Sequence, residues 1–577
     1  MDGVLAFGPF ELDLGNCELR REGIPVPLQP QPFKVLSLLA RNAGRLVSRD
    51  EIRADVWGAD TFLDFDQALN YCVRRIRSAL ADDVSAPRYV ETRQRLGYRF
   101  VAAVAESSTQ AKRPVGGKIM LVVLPFQNLS GEEEQDYFSD GLTEELTTHL
   151  GRLNPERLGV IARTSAMRYK GTTDSVEQIG RRLRVNYLLE GSVRRAGNRV
   201  RISVQLIQVS DQTHVWADSY ERDLGDVLAL QSDVARAVAR EIQVTLGSRE
   251  RKRLAEGRRI EPRALDAYLK GRYFWNKRSK ETLHKSVHYF ESAIQEDSGY
   301  AEAYAGLADC YLRMLDLGYL STPDAVGKAR AATDKALELD DRLAEAHTSL
   351  AHRSFHEFEW AMADSAFRRA IDLDPNCGIA HYYYANFLAA MRRFDRAIGE
   401  AQRALEIDPM SPGTGVNATL VLYFAGRYTD AIDHGLRALE IDPGYIRAHY
   451  YLGLVYEQEG QHDRAIDAFR KSLTPATEGP GTRAALAYSY GLAGERRKVL
   501  GLARELEQIA AKAYVSPYDF VLTSLALEEN DLAISWLTRA YEARSSYMAF
   551  VRADPRLKPL HSDPHFRDLM GCMKFPE

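Results

Sequence analysis

The chain has 577 residues, of which 45% are hydrophobic and 27% charged, so it is too long for a single core and too apolar for a disordered polymer. Its 76 Lys+Arg stand against 80 Asp+Glu, a formal net charge of −4, which excludes a uniformly basic coat for nucleic acid. Any surface of that kind has to be local.

Residues 1–103 open with short alternating stretches, VLAFGPFELDL and CELRREGIPVPL, broken by Gly and Pro, and these predict a small antiparallel sheet. The run FKVLSLLA then sets Phe33, Leu36, Leu39 and Ala40 on one helical stripe, and Asn42-Ala43-Gly44 ends it. Ser48 with Glu51 three residues on reads as a capping box opening a second helix, RDEIRADVWG. A third helix over 66–80 has its apolar stripe at Leu69, Val73, Ile76 and Leu80, so Asn70, Arg74, Arg75, Arg77 and Ser78 are predicted to face outward. The runs RYVET and GYRFVA around RQRL predict a hairpin. Residues 104–117, AESSTQAKRPVGGK, lack periodicity and read as a linker.

Residues 118–247 alternate strand and helix signals. KIMLVVLPF predicts a buried strand, 137–150 and 176–183 amphipathic helices, and YLLEGSV with RVRISVQLIQV two strands joined at a tight turn. A closing helix is expected over 226–246, completing an α/β domain. From about 262 the pattern is helical and repetitive, with LDP, IDP and IDP placing prolines at 375, 409 and 443, 34 residues apart. Small residues recur within each interval, Ala351, Ala363, Ala370 and then Ala385, Ala397, Ala404, with Gly453 and Ala465 two periods on. A 34-residue helix–turn–helix period is the tetratricopeptide (TPR) signature. The small residues let helix backbones approach, and each proline stops a second helix. The pattern decays after 478, although LALEENDLAISWLTRAYEAR predicts a final pair.

Cys17, Cys72, Cys310, Cys377 and Cys572 are scattered, with no CxxC pair, so neither a zinc framework nor disulfides are expected and a reducing cytoplasm fits. The N-terminus lacks the charged-then-apolar order of a signal peptide, and the longest apolar run, IMLVVLPF, is far below a membrane span. No P-loop, GxSxG, HExxH or dinucleotide fingerprint is found.

The arginines of the third helix are the chemical signal. Residues 70–81 hold Arg74, Arg75 and Arg77 without an acid, while Asp50, Glu51, Asp55, Asp60, Asp64 and Asp66 precede them. A major groove admits a helix, and a guanidinium can bond guanine bidentately or clamp a phosphate. The alternative is a solvated charged face, since residues 1–103 hold 14 Lys+Arg and 14 Asp+Glu. The order sheet–helix–helix–arginine helix–hairpin, with LNYCVRRIRSAL and YVETRQRLGYRFVA, closely resembles the OmpR/PhoB-type winged helix-turn-helix domain. That resemblance implies a recognition helix presenting Asn70, Cys72, Arg74, Arg75 and Arg77 to double-stranded promoter DNA, and a wing carrying Arg93 and Arg95. It also implies an RNA polymerase-facing loop with Gly58, Asp60, Thr61, Phe62 and Asp64, and binding as a dimer. With the winged helix starting near residue 4, phosphoryl control by a preceding receiver is not expected, and the layout looks more like the ToxR/CadC/HilA group without a membrane anchor.

The stretch from VVLPFQNLSGEEEQDYFSDGL to THVWADSYERDL resembles the TolB N-terminal-like domain, which implies a fold more than a chemistry. Asp140, Glu144 and Glu145 could be a catalytic cluster with His149 or His214, but acids at a helix start usually complement its dipole. Arg181, Arg182, Arg184, Arg194, Arg195, Arg199 and Arg201 form a second basic stretch, read as a solvated or anion-binding face. A TPR superhelix offers a concave face to a protein or peptide, where Tyr383, Tyr384 and Tyr450 could supply aromatic contacts or simply pack between helices. The expectation is a multidomain, non-enzymatic, cytoplasmic transcription regulator without cofactor or metal. It comprises a winged helix-turn-helix domain (1–103), a linker (104–117), a TolB-like α/β domain (118–247) and an all-α TPR superhelix (262–577). The other reading is a TPR interaction scaffold whose winged helix does not bind DNA.

Overall fold

The N-terminal alternation forms four short strands, β1 (Val4–Phe7), β2 (Phe10–Asp13), β3 (Glu18–Arg21) and β4 (Ile24–Val26), each antiparallel to the next. They belong to a computed structural model that describes residues 4–14, 18–21, 24–26, 28, 30–56, 65–80, 82–83, 87–93, 96–107, 118–130, 135–242, 244, 260–473 and 479–576. Helix α1 (Pro30–Arg41), β5 (Leu46–Ser48), α2 (Arg49–Val56), α3 (Phe65–Leu80), β6 (Val90–Arg93) and β7 (Gly97–Phe100) follow. Strand β8 (Ala105–Ser107) then pairs with β1, so the segment expected as linker begins as sheet. These elements lie in one compact unit, residues 1–117.

The predicted stripes are the core of this unit. Phe33, Leu36, Leu39 and Ala40 of α1 are buried, as are Leu69, Val73, Ile76 and Leu80 of α3. Phe7 meets Phe100 edge-on at 4.9 Å and Phe10 meets Tyr89 at 5.5 Å, the geometry that ring quadrupoles favour. The capping box is present: Glu51 N–H donates to Ser48 Oγ at 3.2 Å, and Ser48 N–H donates to Glu51 Oε2 at 2.7 Å. The Arg45 guanidinium bonded to Glu51 holds that carboxyl at about 2. In the hairpin, a Cβ on Gly97 (φ +151°) would fall 2.0 Å from the Val47 carbonyl oxygen, so only glycine lets β7 lie against β5.

The second compact unit, residues 118–577, contains both the α/β segment and the repeats. Strand β9 (Ile119–Val123) is parallel to β11 (Leu158–Val160) and β12 (Tyr187–Ala196), while β13 (Arg199–Gln208) and β14 (His214–Asp223) continue antiparallel; β10 (Gln127–Asn128) pairs with β12 in parallel. Alternate residues of β9 serve opposite faces. Leu121 and Val123 pack with α4 (Asp136–Gly151), whereas Val122 packs beneath the later helix that carries Ile179 and Leu183. That later helix is α6 (Val176–Leu183); a short α5 (Arg163–Ala166) precedes it and α7 (Val227–Glu241) closes the segment.

The repeats run as antiparallel helix pairs from Pro262–Lys277 with Lys280–Glu296 to Pro517–Ala526 with Asn530–Glu542. The helices ending at Leu373, Ile407 and Ile441 stop just before Pro375, Pro409 and Pro443, as the period predicts. Ala351, Ala363, Ala370, Ala385, Ala397, Ala404 and Ala465 are all buried. A Cβ on Gly453 would lie 2.7 Å from the Phe469 ring, which explains the small residue there. Among the described residues, no helix is long and apolar enough to cross a membrane.

The same three repeat corners hold the α/β segment. At the first, Arg152 bonds Asp374 at 3.2 Å and Asn376 Nδ2 donates to the Gly151 carbonyl at 2.7 Å. At the second, Ser165 donates from its backbone and hydroxyl to Asp408 at 3.0 and 2.6 Å, and Ala162 N–H donates to the Ile407 carbonyl at 2.8 Å. At the third, Arg168 donates to the Ile441 carbonyl at 2.7 Å. The sequence period has become an evenly spaced docking row.

Candidate nucleic-acid interface and the inner face of the repeats

Helix α3 buries one side and leaves the other to solvent because its apolar residues recur every three or four positions. On the open side, Asn70, Arg74, Arg75 and Ser78 are exposed. Arg74 and Arg75 form no ion pair or hydrogen bond among the described residues, so two guanidinium forks stand ready for an external acceptor. Asn70 is held in place: its Oδ1 accepts from Tyr98 Oη at 3.1 Å and from Arg49 at 3.3 Å. That leaves its amide hydrogens outward. Arg49 also lies over the Tyr98 ring at 5.8 Å.

Two expected groove residues are corrected. Cys72 is 2% exposed and belongs to the core, three positions beyond Leu69 on the apolar stripe; burial pushes its thiol up to about 11. Arg77 is turned to the wing, donating to the Val90 carbonyl at 2.9 Å and to Thr92 Oγ1 at 2.8 Å. It braces α3 against β6 instead of reaching outward. Arg93 is exposed on β6, 3.1 Å from Glu91. Arg95 and the loop residues Gly58, Asp60, Thr61, Phe62 and Asp64 lie outside the described residues.

Sequence reasoning missed two neighbours of this face. Tyr71, 43% exposed, precedes Arg74 and Arg75 by three and four positions and so shares their surface. Arg49 stands beside Asn70, although its sequence position gives no hint of that contact. The i, i+3, i+4 spacing would have found the first.

The carboxylates that could have suggested catalysis are tied up structurally. Glu144 is bonded by Arg272 and Asn276 and faces Arg163, and Asp140 is bonded by Lys170 at 2.8 Å. The second basic stretch is divided as well: Arg195 pairs with Asp266, Arg181 with Glu177, Arg182 with Asp174 and Arg199 with Glu221.

The inner side of the superhelix, formed by the first helices of successive pairs, is covered from within the chain. Tyr383 donates to Asp316 at 2.8 Å and stacks on His352 at 3.9 Å, while Tyr384 donates to Asp364 at 2.9 Å. Both are buried. Tyr450 packs on Tyr451 and Phe469 and hydrogen-bonds Tyr547. The expectation that these three tyrosines face a partner is therefore corrected: they serve the protein's own packing. A C-terminal segment beginning at Ser546–Phe550 crosses this side, with Phe550 against Phe355 and Phe424 and the Met573 carbonyl accepting from Trp360 Nε1 at 2.8 Å. Nearer the first repeats, α4 faces the inner helices across a cavity of about 590 Å³ whose lining includes Glu145, Arg272, Trp275, Asp309 and Arg313.

On the same side, Glu457 is buried, with one carboxyl oxygen accepting from Ser489 and the other without a partner among the described residues. Burial holds its proton up to about 8. An unfolded glutamate releases it near 4.3. Between those values the folded protein binds the extra proton, so stability falls as pH rises, by about 1.4 kcal/mol per unit from this group alone. Urea unfolding of Glu457→Gln between pH 5 and 8 should show a correspondingly shallower decline; an unchanged pH slope would mean that Glu457 is ionised in the fold.

Comparison with known proteins agrees with this arrangement. Residues 23–100 match the family described as transcriptional regulatory protein, C terminal, and residues 117–236 match the second domain of HilA/YgeH-like transcriptional regulators. Residues 359–412 and 420–460 match tetratricopeptide repeat families. The transcriptional regulator HilA of Salmonella typhi is 26% identical over 380 residues, 66% of either chain. A protein of Rhizobium meliloti named "Putative adenylate cyclase 3" is 35% identical over 238 residues, 41% of this chain and 40% of that one. The sensory transduction protein RegX3 of Mycolicibacterium smegmatis is 35% identical over 99 residues, 17% of this chain and 43% of that protein. Among solved structures, the Klebsiella pneumoniae RstA DNA-binding domain in complex with RstA box is 28% identical with a TM-score of 0.16, covering 17% of this chain and 96% of that one. The chain thus spans less than two thirds of the length of these first relatives. It carries an OmpR/PhoB-type winged-helix domain, a HilA-like regulator domain and TPR repeats.

Proposed function

We propose that this protein is a sequence-specific transcriptional regulator whose α3 enters the major groove of promoter DNA. Arg74, Arg75 and Asn70 would read or clamp the duplex, with Tyr71 and Arg49 beside them and the wing residues Arg93 and Arg95 on flanking phosphates. The observation that carries this reading is the pair of exposed guanidiniums on the outer side of α3, unpaired among the described residues. Family likeness supports it: residues 23–100 match transcriptional regulatory proteins, residues 117–236 match the second domain of HilA/YgeH-like regulators, and HilA itself is similar over 380 residues. Residues 58–64 would face RNA polymerase, and the protein would bind repeated half-sites as a dimer, as the resemblance to OmpR/PhoB-type domains implies.

The HilA-like domain and the repeats are assigned to input. A protein partner would engage surfaces other than Tyr383, Tyr384 and Tyr450, or displace the C-terminal segment from the inner side. The cavity beneath α4 touches both the HilA-like domain and the repeats, which makes it the place where one occupant could act on both. No enzymatic role is assigned.

The test is selection of bound genomic fragments by the full chain at low salt, followed by titration with KCl. A specific reader enriches a common motif, and its affinity falls linearly in log–log form with salt as counterions are released. No retained fragments at low salt would leave the scaffold reading in its place.

A further inference from the structure

Asp316, at the end of the helix Ala301–Asp316, stands beside His352 and His356 of the helix Ala344–His356. The two histidines are four positions apart and so project from one side of their helix. Each of the three residues offers a ligand atom, and these atoms all lie within 4.8 Å of one another. His352 Nε2 and Asp316 Oδ1 are 3.2 Å apart, close to the roughly 3.3 Å that separates ligands around a four-coordinate zinc with bonds near 2 Å.

The neighbours orient the group as supporting contacts do in metal centres. Both histidines are 95% buried or more. Among the described residues His356 Nδ1 has no hydrogen-bond partner, while its ring has the Ser546 backbone as a hydrogen-bonding neighbour. The ring nitrogen bonded to that backbone is then Nε2, which leaves the Nδ1 lone pair available to an ion. A carbonyl partner on the far nitrogen is the common way to fix the tautomer of a metal-bound imidazole. The Tyr383 ring stacks on His352 at 3.9 Å, and its hydroxyl donates to Asp316 Oδ2 at 2.8 Å. Arg313 also bonds Oδ2, at 3.3 Å, so this cation engages the outer oxygen and leaves Oδ1 toward the imidazoles.

We propose that Asp316, His352 and His356 bind one divalent first-row metal ion, zinc foremost, with a coordination position open to water or a further ligand. Two imidazoles with one carboxylate match the borderline-soft preference of zinc and its neighbours in the series, and disfavour calcium or magnesium, which take oxygen donors. Because Ser546 begins the C-terminal segment, the bound ion would also fasten that segment to the helix Ala344–His356.

The experiment is equilibrium dialysis of the chelator-treated full chain against micromolar zinc, with cobalt(II) substitution read by visible absorption. One metal per chain is expected, with cobalt d–d bands. The variants His352→Gln and His356→Gln should each weaken binding at least about ten-fold. His284→Gln/His288→Gln removes an exposed pair of the same spacing on the helix Lys280–Glu296 and should leave the stoichiometry at one. Absence of bound metal, or binding that survives the first two variants and disappears with the last, would overturn the proposal. Should the first two variants unfold, X-ray absorption of the zinc-loaded wild type decides: two imidazole shells support the site, and a sulfur shell or no imidazole refutes it.

Discussion

Arg74→Ala and Arg75→Ala, each in the full chain, are expected to weaken binding to the selected DNA by about 1–3 kcal/mol without altering thermal stability. Both side chains are exposed and make no contact among the described residues that folding would miss. The salt titration separates their roles. An arginine on a phosphate contributes about one unit to the log–log slope, and its removal weakens all sequences alike; an arginine on a base edge leaves the slope and relaxes one position of the motif. Arg77→Ala is the internal comparison. It loses the bonds to Val90 and Thr92, so it should lower the stability of the winged helix first and affect DNA binding only through wing position. If Arg77→Ala abolished binding in a fully stable protein while the other two variants bound normally, the assigned face would be wrong.

The second large effect lies at the other end of the chain. Asp554 and Arg556 are 3% and 2% exposed and pair at 2.6 Å. Asp554 also accepts from Tyr518 Oη at 2.7 Å and Tyr423 Oη at 3.3 Å, so one carboxylate joins the C-terminal segment to two separate repeats. Removing a single member of such a pair strands a buried charge, at a cost of about 3–5 kcal/mol. Asp554→Ala should therefore lower the urea midpoint markedly, and hydrogen exchange of residues 546–576 should accelerate well beyond that of the winged helix. A change below about 1 kcal/mol would mean that Arg556 finds water once its partner is gone.

How much of this was legible depends on the range of the interaction. The stripes on α1 and α3, the Ser48–Glu51 box and the hairpin around RQRL are local, and periodicity and spacing suffice to read them. The repeats announce themselves through prolines at a fixed interval. Cys72 misled because a residue three positions from Leu69 can face either way until packing decides, and a thiol is apolar enough to be drawn inward. Arg77 misled because helical phase gives the direction of a side chain but not the carbonyl 13 residues away that captures it. Of the three tyrosines, Tyr383 and Tyr384 are taken up by Asp316 and Asp364 on neighbouring repeat helices, the packing alternative the sequence also allowed. Tyr450 is taken up by Tyr547 of the C-terminal segment, beyond the point where the repeat period fades. The clustering of Asp316 with His352 and His356 likewise spans two helices and was invisible in one dimension.

Stacked helical repeats generally behave as springs, since each touches only its neighbours and the pitch stretches at little cost. Here the α/β segment is fastened at Asp374, Asp408 and Ile441, one point in each of three successive turns. It acts as a splint: those turns cannot lengthen or unwind without rupturing a fastening. Past residue 441 the splint gives way to the C-terminal segment, which ties Tyr423 and Tyr518 through Asp554. A signal crossing the splinted stretch would travel as rigid displacement, not as gradual extension.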